Sequence, residues 1–301
     1  MSNAATIAAT TSAATTTAAV AGAHAATQGA ASSGKLSPGA KRTVRLRIRR
    51  CDGPGKPSYW ETFNVPVSAG EGANIISALQ HVAANPTTVD GKATTPVVWD
   101  SGCLEEVCGA CTMVVNGKVR QSCSALLDTI APGDGDTVTL EPMSKFPVNR
   151  DLFVDRQRMF DTLKRLKAWV PVDGLYELGK GPTESPDQQE ERYVYSTCMT
   201  CGCCLEACPQ FQKEDDPAKW AESFVGANAM GQTQLFNMHE TGARLKDDRL
   251  DEMSRKGGVS DCGNAQNCVK VCPKEIPLSQ AIASLGRAVT IHGVKKFFTG
   301  K

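Results

Sequence analysis

The chain has 301 residues, a formal charge of +1 from 33 Lys and Arg against 32 Asp and Glu, and 41% hydrophobic residues. That length leaves room for two domains with sizeable cores, and the even charge balance excludes the polybasic signature of a nucleic-acid binder. There is no run of about 18 apolar residues, so the chain is not expected to cross a membrane by itself.

Thirteen cysteines are the outlying number. The N-terminus lacks a basic stretch followed by an apolar one, as a secretory signal would have, and most cysteines stand too close together to be bridged within their own cluster. Metal binding in a reducing compartment follows.

Residues 1–42 are mostly Ala, Thr, Ser and Gly with no aromatic side chain. They carry too little apolar surface to offset their ordering entropy, and they lack the arginines of a mitochondrial transit peptide, so a disordered tail is expected. From Thr43, Val44, Leu46 and Ile48 alternate with arginines as in a half-buried strand, with Cys51 at its end. A Gly53-Pro54-Gly55 turn leads to a second strand over 59–67 and a hairpin. Asn74 suits the cap of a helix whose Ile75, Ile76, Leu79 and Val82 share a face. After a cysteine-dense loop, strands over 112–115 and 118–121 flank Asn116-Gly117, the strongest short hairpin signal. A last strand is expected over 137–140. The pattern is that of a small α+β unit, compatible with a β-grasp ferredoxin.

The second half reads as mainly helical, with no strand pattern. Helices are expected over 151–169, 217–229, 245–253 and 278–291, with a loop at 179–187. Pro142 and Pro147 interrupt both patterns, which sets the domain boundary near 142–151.

Cys103, Cys108 and Cys111, followed by Cys123, have the plant-type spacing of a 2Fe–2S cluster. Gly102, Gly109 and Ala110 keep the loop small, so that backbone N–H groups can approach the sulfurs and raise the cluster's potential. A four-cysteine zinc site usually pairs two C-x2-C knuckles, and this order has one.

Cys198, Cys201, Cys204 and Cys208, followed by Pro209, form the bacterial-type ferredoxin run, whose fourth cysteine serves a different cluster. Its complement is Cys262, Cys268 and Cys272 followed by Pro273, with Ala265 where a second cysteine would stand. Exchanging the last cysteines gives Cys198, Cys201, Cys204 and Cys272 for a 4Fe–4S cluster. Cys208, Cys262 and Cys268 remain for a 3Fe–4S cluster. Two zinc sites, or a labile 4Fe–4S cluster with water at the Ala265 corner, are the alternatives. Cys51 and Cys203 fall outside this partition, and Cys203 is expected to point away from the metal. His24, His81, His239 and His292 are scattered, which argues against a Rieske centre or haem site. With no phosphate-cradling or Ser/His/Asp pattern, three clusters in one chain describe an electron relay.

This order of motifs is similar to the iron–sulfur subunit of succinate dehydrogenase and fumarate reductase (succinate:quinone oxidoreductase). The resemblance covers about residues 43–296, including Pro147-Val148-Asn149-Arg150-Asp151-Leu152 and the run from Asp261 to the third site's Cys268. It implies a β-grasp plant-type ferredoxin domain at 43–146, then a mainly α-helical bacterial-type two-cluster ferredoxin domain at 147–301. It implies relay from the FAD of a flavoprotein subunit through 2Fe–2S, 4Fe–4S and 3Fe–4S clusters to quinone at a membrane anchor. The family's ligand positions match all eleven cysteines assigned above, and its non-ligating position matches Cys203. Ubiquinone-reducing members carry a histidine directly after the first cysteine of the third site and a tryptophan past the first Cys-Pro. Here Gly263 and Gln212-Lys213-Glu214 stand there, which is more similar to menaquinone-linked members with a haem b-containing anchor. Pro209, Phe211 and Ala265 would face that anchor. The implied location is peripheral, on the cytoplasmic side of the bacterial inner (plasma) membrane. The alternatives are a fumarate reductase working in reverse and a non-redox, zinc-stabilised interaction module.

Overall fold

The computed structural model describes residues 36–171 and 183–300. The expected tail lies outside them up to residue 35, as does part of the 179–187 loop.

Strands β1 (Lys41–Arg50) and β2 (Tyr59–Ser68) pair antiparallel along their whole length, from Lys41 opposite Ser68 to Arg50 opposite Tyr59. The first strand starts two residues earlier than its alternation suggests, so Lys41 and Arg42 belong to the sheet and not to the tail. Its buried face also runs on past the aliphatic residues. Arg42 is buried against Asp128 at 2.7 Å, and Arg50 is fully buried at the other end. Both arginines are tolerated because each has a carboxylate partner.

Helix α1 (Ile75–Ala84) begins at Asn74, whose side chain accepts from Ser77 N while the Ser77 hydroxyl accepts from Asn74 N, a reciprocal cap. Strands β3 (Thr112–Val115) and β4 (Lys118–Gln121) meet at Asn116-Gly117, both left-handed as a type I′ turn requires. The short helix α2 (Leu127–Ile130) precedes β5 (Thr137–Glu141), which lies parallel to β1 and antiparallel to β3. The sheet order is β2-β1-β5-β3-β4. Leu46, Ile48, Phe63, Leu79, Met113 and Leu140 belong to one core between this sheet and α1.

Residues 151–169 are not one helix. A small hairpin, β6 (Val148–Arg150) and β7 (Phe153–Val154), comes first, and α3 (Gln157–Arg165) follows. Asp151 makes the turn at φ 47°, a conformation Asp tolerates better than most residues. Its backbone N–H donates to Cys51 O, and Leu152 N–H donates to Val98 O, so the hairpin is docked on the first sheet. Helix α4 (Pro186–Ser196), which helical spacing did not reveal, is capped by Ser185 with Gln188 reaching back. Helix α5 (Cys203–Glu206) follows. The helix expected over 217–229 is a single 3-10 turn (Pro217–Lys219), and the true helix, α6 (Ala227–Met238), starts ten residues later. Helices α7 (Lys246–Met253), α8 (Asn267–Lys270) and α9 (Leu278–Thr299) complete the chain. Met143, Phe146, Met159, Met230, Leu250 and Leu285 belong to a second core.

Candidate metal centres

All thirteen cysteines are free thiols. Among the described residues, no group of His, Cys, Asp or Glu side chains is drawn together tightly enough to hold a single metal ion. The thiols of the Cys198 group line a common space, which suits a multi-atom cluster.

The first group is a loop that bends back on its own sulfurs. Leu104 and Glu106 take left-handed backbone conformations, which turn successive N–H groups inward. Glu105, Val107 and Cys108 N–H all donate to Cys103 Sγ at 3.2–3.4 Å. Cys108 Sγ accepts from Cys103 N and Ala110 N, and Cys123 Sγ, arriving from beyond β4, accepts from Glu106 N. Three inward N–H groups hold the Cys103 thiol down at about 7, whereas burial pushes Cys111 up to about 11. A loop prearranged to donate to thiolates fits a 2Fe–2S cluster, whose sulfurs carry negative charge.

Only one of the loop glycines serves the purpose expected from the sequence. A Cβ on Gly102 would sit 3.2 Å from Cys108 Sγ, so it does keep room for sulfur. Gly109 has φ +72°, and a Cβ there would lie 2.8 Å from Cys201 Cα. It is glycine because the backbone of the second thiol group passes against it. Gly109→Ala combines left-handed strain with overpacking, for a combined cost of about 2–5 kcal/mol. The melting temperature of the full chain should fall accordingly; an unchanged melting temperature would show that the two loops are not in rigid contact.

The second group lines one small space, whose walls include Cys198, Cys201, Cys204, Cys272 and Asn228. It therefore gathers three cysteines of the first run and the last of the second, and Cys208 is not among the lining residues. Burial and mutual repulsion raise Cys198 and push Cys204 far up, while a hydrogen bond from Cys203 brings Cys201 down to about 7. Crowding so many thiols disfavours their ionisation unless a cationic core neutralises them. Asn228 is buried, and its side-chain Nδ2 and Oδ1 find no partner among the described residues. A thiol set in need of positive charge and an orphaned amide both fit a 4Fe–4S cluster.

Cys203 was expected to point away from the metal. It does line the same space, but its nearest polar partners are Cys201 and Gln121, whose Nε2 donates to Cys203 Sγ at 3.5 Å. Gln121 is fully buried; its Nε2 also donates to Thr112 Oγ1, and its Oε1 accepts from Cys111 Sγ at 3.6 Å. Arg156 donates to Gly109 O and Ala110 O, pairs with Asp100, and helps lower Cys201 through its charge. Neither Gln121 nor Arg156 could be singled out from the sequence, because their partners lie some 10 to 80 residues away.

In the third group, Cys268 feels the charges of Cys208 and Cys262, and burial raises it. Asn267 Nδ2 donates to Ala207 O, which ties the two runs together, and Lys145 Nζ donates to Cys208 O. Asn264 and Gln266, on either side of Ala265, are left-handed, and Ala265 is exposed. A Cβ on Gly263 would lie 2.5 Å from the Gln210 side-chain amide, the movable end of an exposed side chain, and Gly263 itself is exposed. Of the three residues expected to face an anchor, Pro209 and Ala265 are exposed. Phe211 is not. It is 2% exposed, packed on Phe146 with centroids 5.8 Å apart and capped by the Arg158 guanidinium at 4.0 Å.

Comparison with known proteins follows the same division. Residues 45–161 match the 2Fe-2S iron-sulfur cluster binding domain family, and residues 194–276 match the 4Fe-4S dicluster domain family. The chain is 48% identical over 258 residues to the succinate dehydrogenase iron-sulfur subunit of Bacillus subtilis, covering 86% of this chain and 97% of that one. It is 29% identical over 192 residues to the fumarate reductase iron-sulfur subunit of Wolinella succinogenes, covering 63% and 76%. Among solved structures, a chain of the Mycobacterium smegmatis Sdh1 complex in the apo form superposes with a TM-score of 0.64 at 20% identity, over 83% of this chain and 96% of that one. At that identity the match speaks for the fold.

Proposed function

The chain belongs to the family of iron–sulfur subunits of succinate dehydrogenase and fumarate reductase, and from that premise we propose that it serves succinate oxidation as the electron-relaying subunit. Its cofactors are 2Fe–2S, 4Fe–4S and 3Fe–4S clusters. When bound, they supply one-electron centres in series between the FAD of a flavoprotein partner and quinone at a membrane anchor. We assign Cys103, Cys108, Cys111 and Cys123 to the 2Fe–2S cluster, and Cys198, Cys201, Cys204 and Cys272 to the 4Fe–4S cluster. Cys208, Cys262 and Cys268 are assigned to the 3Fe–4S cluster. The observation that carries this reading is the exchanged last cysteine, with Cys272 facing the Cys198 group and Cys208 felt by Cys268.

Contacts within the chain hold these thiol groups in place. The Gly109–Cys201 approach brings the first two thiol groups together, and Gln121 and Arg156 fix their spacing. Lys145, through Cys208 O, steadies the third group. We read the sheet and α1 as a β-grasp ferredoxin domain at 43–146, and the helices as a two-cluster ferredoxin domain at 147–301. No described helix is long and apolar enough to cross a membrane. Partnership with a membrane anchor on the cytoplasmic face of the bacterial plasma membrane would bring quinone to the third group. Gly263 offers no side chain after Cys262, which supports a quinone site not built on that position and favours menaquinone with a haem b-containing anchor.

The test is Cys208→Ser in the purified complex, followed by EPR. The wild type should show three spectroscopically distinct clusters, and the variant should lose the 3Fe–4S signal while keeping the 4Fe–4S signal. Loss of the 4Fe–4S signal instead would overturn the exchanged assignment, and a colourless, EPR-silent wild type would overturn the redox reading in favour of zinc.

A further inference from the structure

The space ringed by Cys198, Cys201, Cys204 and Cys272 has a polar wall that comes from neither cysteine run. It is the first turn of α6, where Asn228 lines the space. Asn228 is 3% exposed, and neither Nδ2 nor Oδ1 has a hydrogen-bond partner among the described residues. One turn later on the same helix, the Gln232 side chain lies near enough to Cys198 Sγ to favour its thiolate. The helix thus aims two amides at one thiol group. One of them already has a sulfur beside it, and the other points into the space with no partner. Buried amides are almost always paired, so an orphan on the wall of a ligand space indicates what the ligand must accept. The other walls are thiols, backbone, apolar side chains and Lys274, and among the described residues none of them hydrogen-bonds to this amide. The bridging sulfides and thiolates of an iron–sulfur cluster are acceptors.

We infer that Asn228 donates its Nδ2–H to a sulfur of the cluster in this space and thereby sets the reduction potential of the 4Fe–4S centre above what the cysteines alone would give. The inference rests on the assignment of Cys198, Cys201, Cys204 and Cys272 to that cluster. Its physical basis is differential. Reduction adds negative charge that spreads onto the sulfurs, so a fixed N–H donor binds the reduced state more strongly than the oxidised one. Asn228 acts as a positioning residue for charge and takes no part in ligation. Its donor belongs to a helix packed against α4 and α9, so it does not shift with solvent. The effect should be largest at one centre, because Asn228 lines the space of the Cys198 group.

The experiment is an EPR-monitored redox titration of the intact complex carrying Asn228→Leu, which keeps the side chain's size and removes the donor, or Asn228→Asp, which replaces it with an acceptor. In the leucine variant, the ratio of reduced to oxidised 4Fe–4S cluster at a fixed potential should fall about tenfold, equivalent to about 59 mV for a one-electron couple. The aspartate variant should fall further. The midpoints of the 2Fe–2S and 3Fe–4S centres should shift less. A 4Fe–4S midpoint in Asn228→Leu equal to the wild type overturns the inference, and so does an equal shift of all three centres. A wild-type complex with no 4Fe–4S signal overturns the underlying assignment instead. Should the variants fail to retain the cluster, wild-type complex grown with 15N-asparagine decides by pulsed EPR. A 15N coupling to the reduced 4Fe–4S signal is the expected result, and its absence sinks the proposal.

Discussion

Replacing Ala265 with cysteine is expected to turn the 3Fe–4S centre into a 4Fe–4S centre. Ala265 lies in the loop between Cys262 and Cys268, the two thiols that share their surroundings with Cys208. It occupies the position that Cys201 holds in the first run, so a thiolate there would supply the missing corner for a fourth iron. The loop can accept the change. Ala265 is exposed, and the left-handed residues Asn264 and Gln266 beside it already provide the turn. The oxidised-state EPR signal of the 3Fe–4S cluster should vanish, and a second reduced-state 4Fe–4S signal should appear. A change of cluster type shifts the potential by something on the order of 100 mV, more than tenfold in the equilibrium for one electron. Quinone reduction by the complex should therefore fall at least tenfold, whereas succinate oxidation with an artificial acceptor that draws from the flavin should be retained. Persistence of the 3Fe–4S signal would mean that the Cys262–Cys268 loop does not hold that cluster.

The parts of this molecule legible in the sequence are those fixed by neighbours along the chain. Asn74 caps a helix through Ser77, three residues on, and Asn116-Gly117 closes its hairpin with two left-handed residues. The cysteine spacings are of this kind too, since a cluster loop is a local device. What could not be read is set by distant partners. The hairpin at 148–154 resembles the start of an amphipathic helix in its spacing, and only the docking of Asp151 and Leu152 onto the first sheet selects the turn. The displaced helix α6 shows the same thing. Residues 217–229 have helical spacing, but Val225 N–H is taken by Gly257 O, and Gly226, at φ +84°, has a Leu205 methyl where a Cβ would go. The helix can start only after that crossing. Phe211 follows a proline just past the third site and looks free to face a partner, yet Arg158 and Phe146 enclose it. Asn228 carries no local signal at all. It becomes informative only when its burial and its lack of a partner are seen together.

Asp151→Ala should be the most destabilising single substitution outside the cysteines. Its carboxylate accepts from Arg50 Nε at 2.8 Å, from Arg50 Nη2 at 3.2 Å, and from the backbone N–H groups of Cys51 and Val98. Both charged side chains are fully buried. Burial by itself would lower the Arg50 pKa, but the hydrogen bond and charge of Asp151, with Glu61 at 2.6 Å, outweigh it and hold the guanidinium charged. Removing the aspartate leaves a buried cation with part of its compensation gone, a loss of about 3–5 kcal/mol. Alanine also fits the left-handed turn at φ 47° less well than aspartate. For a chain of this size the melting temperature should fall by roughly 10 °C. Asp151→Asn keeps the shape and the turn and should cost less. Adding Arg50→Met to Asp151→Asn should recover part of that loss, since it removes the stranded charge; a double variant less stable than Asp151→Asn alone would refute the charge argument. The consequence reaches beyond stability. Asp151 joins the end of β1 to the hairpin that leads into α3, and α3 begins one residue after Arg156, the residue gripping Gly109 and Ala110. Loosening this turn should therefore loosen the contact between the first two thiol groups. The loss of visible cluster absorbance on heating should begin at a lower temperature in Asp151→Ala, and should involve the 2Fe–2S and 4Fe–4S centres together.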